Sequence, residues 1–141
     1  MRVLGLDIGT VRIGVAVSDA GGSVASPLVV LEARGLASDI RPLARIVEDY
    51  EVEQIVVGIP LTLSGDEGPQ AATTREVAEA ISLALDLPVA YVDERLSSAE
   101  ARRVMREAGM SDREQRGSVD KVAAAILLQG YLDSHAGEVR S

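Results

Sequence analysis

Acidic side chains stand at three separated points of the chain, each where a strand is expected to end or a helix to begin. The first, Asp7, closes the apolar run Leu4-Gly5-Leu6 and is followed closely by Gly9. A carboxylate at the carboxyl end of a central strand points into the crevice where open α/β sheets bind ligands, and a nearby glycine lets a metal or phosphate approach the backbone. The alternative is a simple turn residue, since aspartate is common before glycine in turns. We favour the ligand-binding interpretation.

The second point is the acidic pair Asp93-Glu94, which closes a strand predicted over residues 89–92. Two adjacent acids at that position suit a metal ligand and a residue that orients it, and the sequence leaves open which of the two is the ligand. The alternative is a capping arrangement, because a helix is expected to start near Ser97 or Ser98.

The third point is Asp120, predicted in the first turn of the last helix with Ser118 as the cap. The helix dipole favours a carboxylate there by about 0.3 to 1 kcal/mol, so the residue needs no function to explain it. A functional role is favoured by Ala123 and Ala124, whose small side chains would let the helix approach the sheet and leave room for an ion.

Carboxylates brought together from Asp7, one of the pair Asp93-Glu94, and Asp120 would form the oxygen-rich site that hard divalent cations prefer. Two Mg²⁺ or Mn²⁺ ions would turn a local charge of about −3 into about +1, which attracts a phosphate. One ion would activate water and the other would stabilise the leaving oxygen, so hydrolysis of a phosphodiester there needs no histidine. The single histidine, His135, is expected to be an exposed bystander near the end of the chain.

The apolar pattern predicts the elements that must position these acids. Two runs over 2–7 and 12–19 form a hairpin, and a third strand over 26–31 pairs antiparallel with the second. Helices then alternate with two apolar strands near 54–58 and 89–92, which is typical of parallel strands reached through helical crossovers. The sequence therefore predicts an α/β domain with a five-stranded mixed sheet, three antiparallel strands followed by two parallel ones, flanked by helices.

The first of these helices is marked by apolar residues that recur at helical spacing from Leu36 to Val47. Ser38 is its expected cap, and Pro42 is tolerable only because it lies close to the first turn. Two further helices are predicted near the carboxyl end, one around 101–108 and one that follows Ser118.

Length and composition bound the class of protein. With 141 residues, 47% hydrophobic and 26% charged, the chain fits one domain, expected over 1–134 with a flexible tail over 135–141. No apolar run approaches the roughly 20 residues of a bilayer span, and the start of the chain, from Met1 to Asp7, puts a charge where a signal peptide would carry its apolar stretch. Cysteine is absent. We therefore expect a cytoplasmic protein with no membrane partner.

The net charge of −8 argues at first against a polyanionic partner, but the charge is unevenly spread. Residues 95–121 carry seven basic and five acidic side chains, a local charge of +2 that leaves −10 for the remainder. Because salt screens charges beyond about 8 Å, a local basic face can still meet phosphates. A solvated helix face of mixed charge is the alternative. The side chains expected to bind substrate are Arg12, Arg95, Arg102, Arg103, Arg106 and Lys121.

Two further observations bear on how a substrate would be read. The chain has no Trp or Phe and only three Tyr, so stacking platforms for bases are lacking, and the backbone and shape of a nucleic acid would be read instead. The segment 58–68, rich in Gly and Pro, is either a lip over the substrate backbone or a plain connection. It lacks the Lys-Ser or Lys-Thr of a Walker A loop.

Four stretches together resemble the YqgF/RuvX family, described as Holliday junction resolvases and as nucleases acting on the precursor of 16S ribosomal RNA. They begin with the run from Gly5 to Asp19, and the others are Val57-Gly58-Ile59-Pro60 with Gly65 and Gly68, the run from Val92 to Ser98, and Val119-Asp120 with the run from Ala123 to Leu127. The resemblance implies a ribonuclease H-like fold, metal-dependent nuclease activity, and catalytic acids at Asp7, Glu94 and Asp120. Endonuclease action is the expected mode.

Several alternatives stay open at the level of sequence. The family description is divided between structured RNA and branched DNA, and we place RNA maturation slightly ahead. An ATP-handling relative of the actin and Hsp70 superfamily shares the Asp-x-Gly-Thr piece, although such proteins need two domains around the nucleotide. A non-catalytic module that binds RNA or a partner protein would also fit. A homodimer would suit cleavage of two strands, but the sequence shows no interface.

Overall fold

The structure, a computed structural model of the chain, describes residues 1–94 and 112–134. Five strands and four helices occur in these ranges: β1 (Arg2–Ile8), β2 (Arg12–Ser18), β3 (Ala25–Glu32), α1 (Ala33–Ser38), α2 (Arg41–Tyr50), β4 (Val52–Ile59), α3 (Pro69–Leu85), β5 (Val89–Asp93) and α4 (Asp112–Ser134). The helix predicted around 101–108 and the tail predicted over 135–141, with His135, lie outside the described residues.

The five strands form one mixed sheet in the order β3-β2-β1-β4-β5. β1 runs antiparallel to β2, and β2 runs antiparallel to β3, so the first three strands form the predicted meander. β4 lies parallel to β1, and β5 lies parallel to β4. The predicted fold class is confirmed, and the carboxyl ends of β1, β4 and β5 meet at one edge of the sheet.

The two faces of the sheet bury separate apolar clusters because side chains alternate along each strand. In β1, Leu4 and Leu6 belong to the cluster shared with α1, α2 and α3, whereas Val3 belongs to the cluster covered by α4. β4 alternates in the same way: Val57 belongs to the cluster of Leu4 and Leu6, and Val56 belongs to the cluster of Val3. Asp7, four residues beyond Val3 in the same strand, therefore lies on the α4 face of the sheet.

The single helix predicted from Leu36 to Val47 is wrong, because the segment forms two helices, α1 and α2, separated at Asp39 and Ile40. Proline has no N–H and its ring crowds the carbonyl four residues earlier, so Pro42 ends the helix at Ser38. Ser38 is consequently the last residue of α1 and not a cap; its hydroxyl donates to the carbonyl of Arg34 at 3.2 Å.

The predicted start of the last helix at Ser118 is also wrong. α4 begins at Asp112, so Ser118 lies inside the helix and Asp120 lies in its third turn. The sequence 112–118 is rich in polar residues that form helices without an apolar stripe, which is why apolar spacing missed it. The helix dipole therefore does not explain Asp120, since its effect is confined to the first turn.

Among the described residues, none of the helices combines the length and the apolar character needed to cross a bilayer.

Candidate active site

Asp7 lies near the end of β1, where it pairs with Gly14 of β2, and its side chain is half-buried. The strand is turned back at once, because the N–H of Gly9 donates to the carbonyl of Arg12 at 2.9 Å. A Cβ at position 9 would lie 2.8 Å from that carbonyl oxygen, so a glycine is required for the close approach. The tight turn places Arg12 beside the carboxylate edge.

Glu94 follows β5 directly, and its N–H donates to the carbonyl of Ile59 at 3.3 Å. This bond continues the parallel pairing of β5 with β4 by one residue. Gly58 of β4 gives the Glu94 side chain room: a Cβ at position 58 would lie 2.9 Å from the Cβ of Glu94 and 3.2 Å from its Oε2. The missing side chain at position 58 thus opens a path across β4 toward β1.

The carboxyl groups of Asp7 and Glu94 share a hydrogen bond. Burial, followed by the charge of Asp7 and the hydrogen bond to Asp7, raises the pKa of Glu94 to about 7. Burial also raises the pKa of Asp7, and the charge of Asp120 adds to that rise while the hydrogen bond from Glu94 opposes it. With a pKa of about 7, Glu94 carries its proton in about half of the molecules at pH 7, and its hydroxyl then donates to the Asp7 carboxylate.

Asp93 and Glu94 are distinguished by this geometry. Asp93 is the last residue of β5 and is exposed, and its charge contributes to the raised pKa of Glu94. Glu94 is half-buried and is the member of the pair that contacts Asp7.

Asp120 approaches the pair from α4. A Cβ on Gly14 would overlap the backbone carbonyl of Asp120, so the helix lies directly against β2 at this point. The Asp120 carboxylate accepts a hydrogen bond from Nε of Arg12 at 2.8 Å, with the two side chains 28% and 56% exposed. Within residues 1–94 and 112–134, no three acidic or histidine side chains are close enough to form a ready-made metal cage. Asp120 thus lies next to the Asp7–Glu94 pair and is turned to Arg12.

Of the basic residues predicted to bind substrate, two can be located. Arg12 is at the site, as the partner of Asp120. Lys121 is the next residue along α4 and is half-buried. Arg95, Arg102, Arg103 and Arg106 lie outside the described part of the chain.

Three glycines let α4 and Glu94 approach the sheet closely, and their role was not predicted from the sequence. A Cβ on Gly5 would lie 2.8 Å from the Cβ of Leu128. A Cβ on Gly14 would likewise meet Asp120, and one on Gly58 would meet Glu94. All three lie inside strands, and a glycine within a strand often marks the close approach of another backbone. That signal was available in the sequence, together with Ala123 and Ala124, which are fully buried as expected at a close contact.

The loop that follows β4 is folded upon itself and tied to α3. Leu61 bridges to Glu67, and the N–H of Thr62 donates to the carbonyl of Asp66 at 2.8 Å. Arg75 of α3 binds Glu67 through two hydrogen bonds of 2.7 Å, and its guanidinium lies over the ring of Tyr91, 4.3 Å from the centroid. The loop is therefore fixed by its own hydrogen bonds and by the ion pair with α3.

The fold and the site define an α/β domain of the ribonuclease H-like class with a carboxylate pair at the carboxyl edge of its sheet. Residues 1–134 match the RuvX family, described as Holliday junction resolvase, and the chain belongs to that family. The resemblance drawn from the sequence is thereby confirmed.

Relatives of known name agree with this membership. A protein of Anaeromyxobacter dehalogenans named "Putative pre-16S rRNA nuclease" is 48% identical over 136 residues, which cover 96% of this chain and 99% of the relative. A protein of the same name from Syntrophomonas wolfei is 44% identical over 133 residues, or 94% of each chain.

Solved structures share the fold. The chain is similar to Thermus thermophilus RuvC in complex with a Holliday junction substrate, with a TM-score of 0.60, 17% identity and 97% of both chains covered. It is also similar to the Fowlpox virus resolvase in complex with Holliday junction DNA, with a TM-score of 0.57, 13% identity, and 95% and 98% of the chains covered. At these identities the likeness shows a common fold alone.

Proposed function

We propose that this chain is a metal-dependent endonuclease that hydrolyses phosphodiester bonds at Asp7, Glu94 and Asp120. The observation that carries the proposal is the shared hydrogen bond between the carboxyl groups of Asp7 and Glu94, formed across the ends of strands that are distant in sequence. Burial raises the pKa of both acids, and acids with perturbed pKa values that meet at the end of a sheet favour a functional role. Family membership supports the same conclusion.

The residues present fit a divalent cation. Asp7 and Glu94 supply carboxylate oxygens from two strand ends, and burial together with the neighbouring acidic charges raises the pKa of both groups. Mg²⁺ or Mn²⁺ bound there would activate water and stabilise the charge that develops on the phosphate. The acids of the described residues do not form a complete set of metal ligands by themselves. The remaining ligands of the cation would come from the substrate.

Each side chain has a distinct task in this mechanism. Glu94 holds a proton against Asp7 at neutral pH and must release it before both groups can act as oxygen ligands. Arg12 neutralises Asp120 through Nε, and its remaining N–H groups stay available to a phosphate oxygen because the side chain is 56% exposed. Lys121 adds a positive charge one residue along α4. These cations would orient the phosphodiester at the carboxylate edge.

The substrate we propose first is the precursor of 16S ribosomal RNA, processed in the cytoplasm, since the relatives at 44% to 48% identity carry that name. The second candidate is branched DNA, favoured by the description of the family. Cleavage of two strands of a junction would need two such sites, so a homodimer would form on that substrate. Sedimentation of the protein with and without a four-way junction tests this assembly.

The deciding experiment is a cleavage assay on precursor 16S ribosomal RNA and on a four-way DNA junction, each with EDTA, Mg²⁺ or Mn²⁺. We expect the RNA to be cleaved only when a divalent cation is present. We also expect the protein to cleave a circular version of the same RNA, because an endonuclease needs no chain end and an exonuclease does. The Asp7→Asn protein is the control for contaminating nucleases. Binding without cleavage of either substrate under all conditions would refute the proposal and leave a non-catalytic binding module.

A further inference from the structure

A groove of about 490 Å³ lies on the face of the sheet opposite α4, between α1 and α3. Its floor is formed by the end of β1 and the start of β2, and its walls by the two helices. Its lining includes Ile8, Gly9 and Thr10 on the floor and Leu36, Thr74 and Ala80 on the walls. The volume is in the range of small-molecule sites in proteins.

The lining is uncharged, which decides what the groove can hold. Most of its surface comes from aliphatic side chains, so a phosphate or another ionic group would lose its hydration without gaining a partner. The polar groups are Thr10, Gln70, Thr73 and Thr74. A neutral ligand with a flat apolar body and a few hydrogen-bonding atoms suits this combination.

One of these polar groups can bond a ligand from the wall of the groove. Thr74 of α3 lines the groove and is 4% exposed as a residue. The neighbouring Thr73 differs, because its hydroxyl donates to the carbonyl of Pro69 at 3.2 Å. A hydrogen bond between the Thr74 hydroxyl and a ligand atom in the groove would favour binding of that ligand.

The groove reaches the end of the strand that carries Asp7. Asp7 lies on the α4 face of β1, the next residue, Ile8, lines the groove, and Gly9 and Thr10 continue the lining. Two residues of extended chain span at most about 7 Å, so Gly9 lies within about that distance of Asp7 along the backbone. A strand whose phosphate lies at Asp7 could therefore turn its neighbouring base over this edge.

We propose that the groove receives an unpaired nucleobase of the substrate strand, next to the phosphodiester that is cleaved. The inference rests on the proposed function and adds a base-binding subsite to it. The phosphate stays at the carboxylate edge with the cations, while the neutral base enters the uncharged groove and bonds the Thr74 hydroxyl. A chain with no Trp or Phe would in this way hold a base by burial between aliphatic side chains and not by stacking.

Free nucleosides test the groove without any cleavage. Adenosine, guanosine, cytidine and uridine are titrated separately into ¹⁵N-labelled protein, and amide shifts are followed by NMR. We expect at least one nucleoside to shift α1 and α3 residues that line the groove. Thr74→Val, which keeps the shape and removes the hydroxyl, should weaken that binding about 3- to 10-fold. Absence of groove shifts with all four nucleosides would refute the subsite.

Ala80→Leu fills the groove, and Ala72→Leu is its matched control, because Ala72 is an exposed residue of the same helix that does not line the groove. We expect Ala80→Leu to abolish nucleoside binding and Ala72→Leu to leave it unchanged. Equal binding by both variants would place the nucleosides elsewhere and overturn the proposal.

A second arm distinguishes a base of the strand from a free nucleoside. Precursor RNA fragments with one abasic nucleotide at successive positions around the cleavage site are bound to Asp7→Asn protein and to the same protein with Ala80→Leu. We expect one abasic position to weaken binding by the first protein only. Nucleoside binding without any abasic effect would assign the groove to a free nucleoside and reject the strand base. Cleavage that is absent while the abasic effect persists would refute the nuclease and not the subsite.

Discussion

The carboxyl group of Glu94 donates a hydrogen bond to the carboxylate of Asp7, although their strands, β5 and β1, are separated in the sheet by β4. The contact is possible because the residue of β4 that lies beneath the Glu94 side chain is Gly58. The acids at the ends of β1 and β5 thus form one site across the end of β4.

Asp7→Asn should abolish cleavage and leave the fold intact, because the change removes the charge of a proposed metal ligand with almost no change in volume. The amide can still accept the hydrogen bond from Glu94, so we expect an unchanged thermal midpoint. The loss of activity should exceed the roughly 10- to 100-fold that follows removal of a residue that merely supports a metal ligand. Full activity in this variant, measured on precursor RNA with Mn²⁺, would remove Asp7 from the mechanism.

Without a divalent cation, the stability of the protein should fall as the pH rises from 4.5 to about 7. Glu94 has a pKa of about 7 in the folded protein against 4.5 ordinarily, so over this window the folded state binds more protons than the unfolded state. The thermal midpoint in EDTA measures the trend, and Glu94→Gln should flatten it. A midpoint that rises over this window, or an identical slope in Glu94→Gln, would contradict the assignment.

Gly58→Ala should damage the site more than the fold. The new methyl group would lie 2.9 Å from the Cβ of Glu94 and 3.1 Å from Cδ2 of Leu127, so the Glu94 side chain must move away from Asp7. Overpacking of this kind costs about 1 to 3 kcal/mol of stability. Activity and Mn²⁺ affinity should fall at least about 10-fold.

Gly130→Ala is the control for that prediction, since a Cβ at position 130 meets no atom within 4 Å. Alanine in a helix is more stable than glycine by about 0.5 to 1 kcal/mol, so this variant should gain stability and keep full activity. Urea denaturation and Mn²⁺ titration of the two variants provide the comparison. Equal Mn²⁺ affinity in both variants would show that Gly58 does not make room for a ligand.

Arg75→Met should release the loop that follows β4, because it removes both hydrogen bonds to Glu67 and the contact with the Tyr91 ring. The ion pair is exposed to solvent, which screens it, so its loss should change the stability of the protein little. If the loop is a lip over the substrate, KM should rise while kcat changes little.

Exchange of the two charges, Glu67→Arg with Arg75→Glu, should recover part of the lost substrate affinity. Arg45→Met removes an exposed arginine of α2 and should leave KM unchanged. A KM that is the same in Arg75→Met and Arg45→Met would mean that the loop is a plain connection and does not contact the substrate.

Replacement of Arg102, Arg103 and Arg106 together by Gln should weaken nucleic-acid binding and flatten its salt dependence without changing the chemical step. If all three contact phosphates, the slope of log K against log salt should decrease by up to about 3. Arg34, Arg41 and Arg45, changed in the same way, remove equal charge from outside the basic stretch. A similar effect in both triple variants would mean that only the net charge matters.

The sequence by itself determined the elements of the sheet and the acids that follow two of its strands. Alternating apolar residues predicted β2, and short apolar runs predicted the other four strands, because burial of side chains along a strand is a local property. Asp7 and the pair Asp93-Glu94 could be singled out because each follows such a run directly. The motifs that resemble the RuvX family are local in the same sense.

Only the tertiary structure decided which of these acids meet. Glu94 and not Asp93 reaches Asp7, because Gly58 leaves its path open, and Asp120 is turned to Arg12 where α4 lies against Gly14. The groove between α1 and α3 likewise depends on how two helices lie on the sheet. These relationships join residues far apart in the chain, and their geometry is fixed by packing, which no local pattern of residues records.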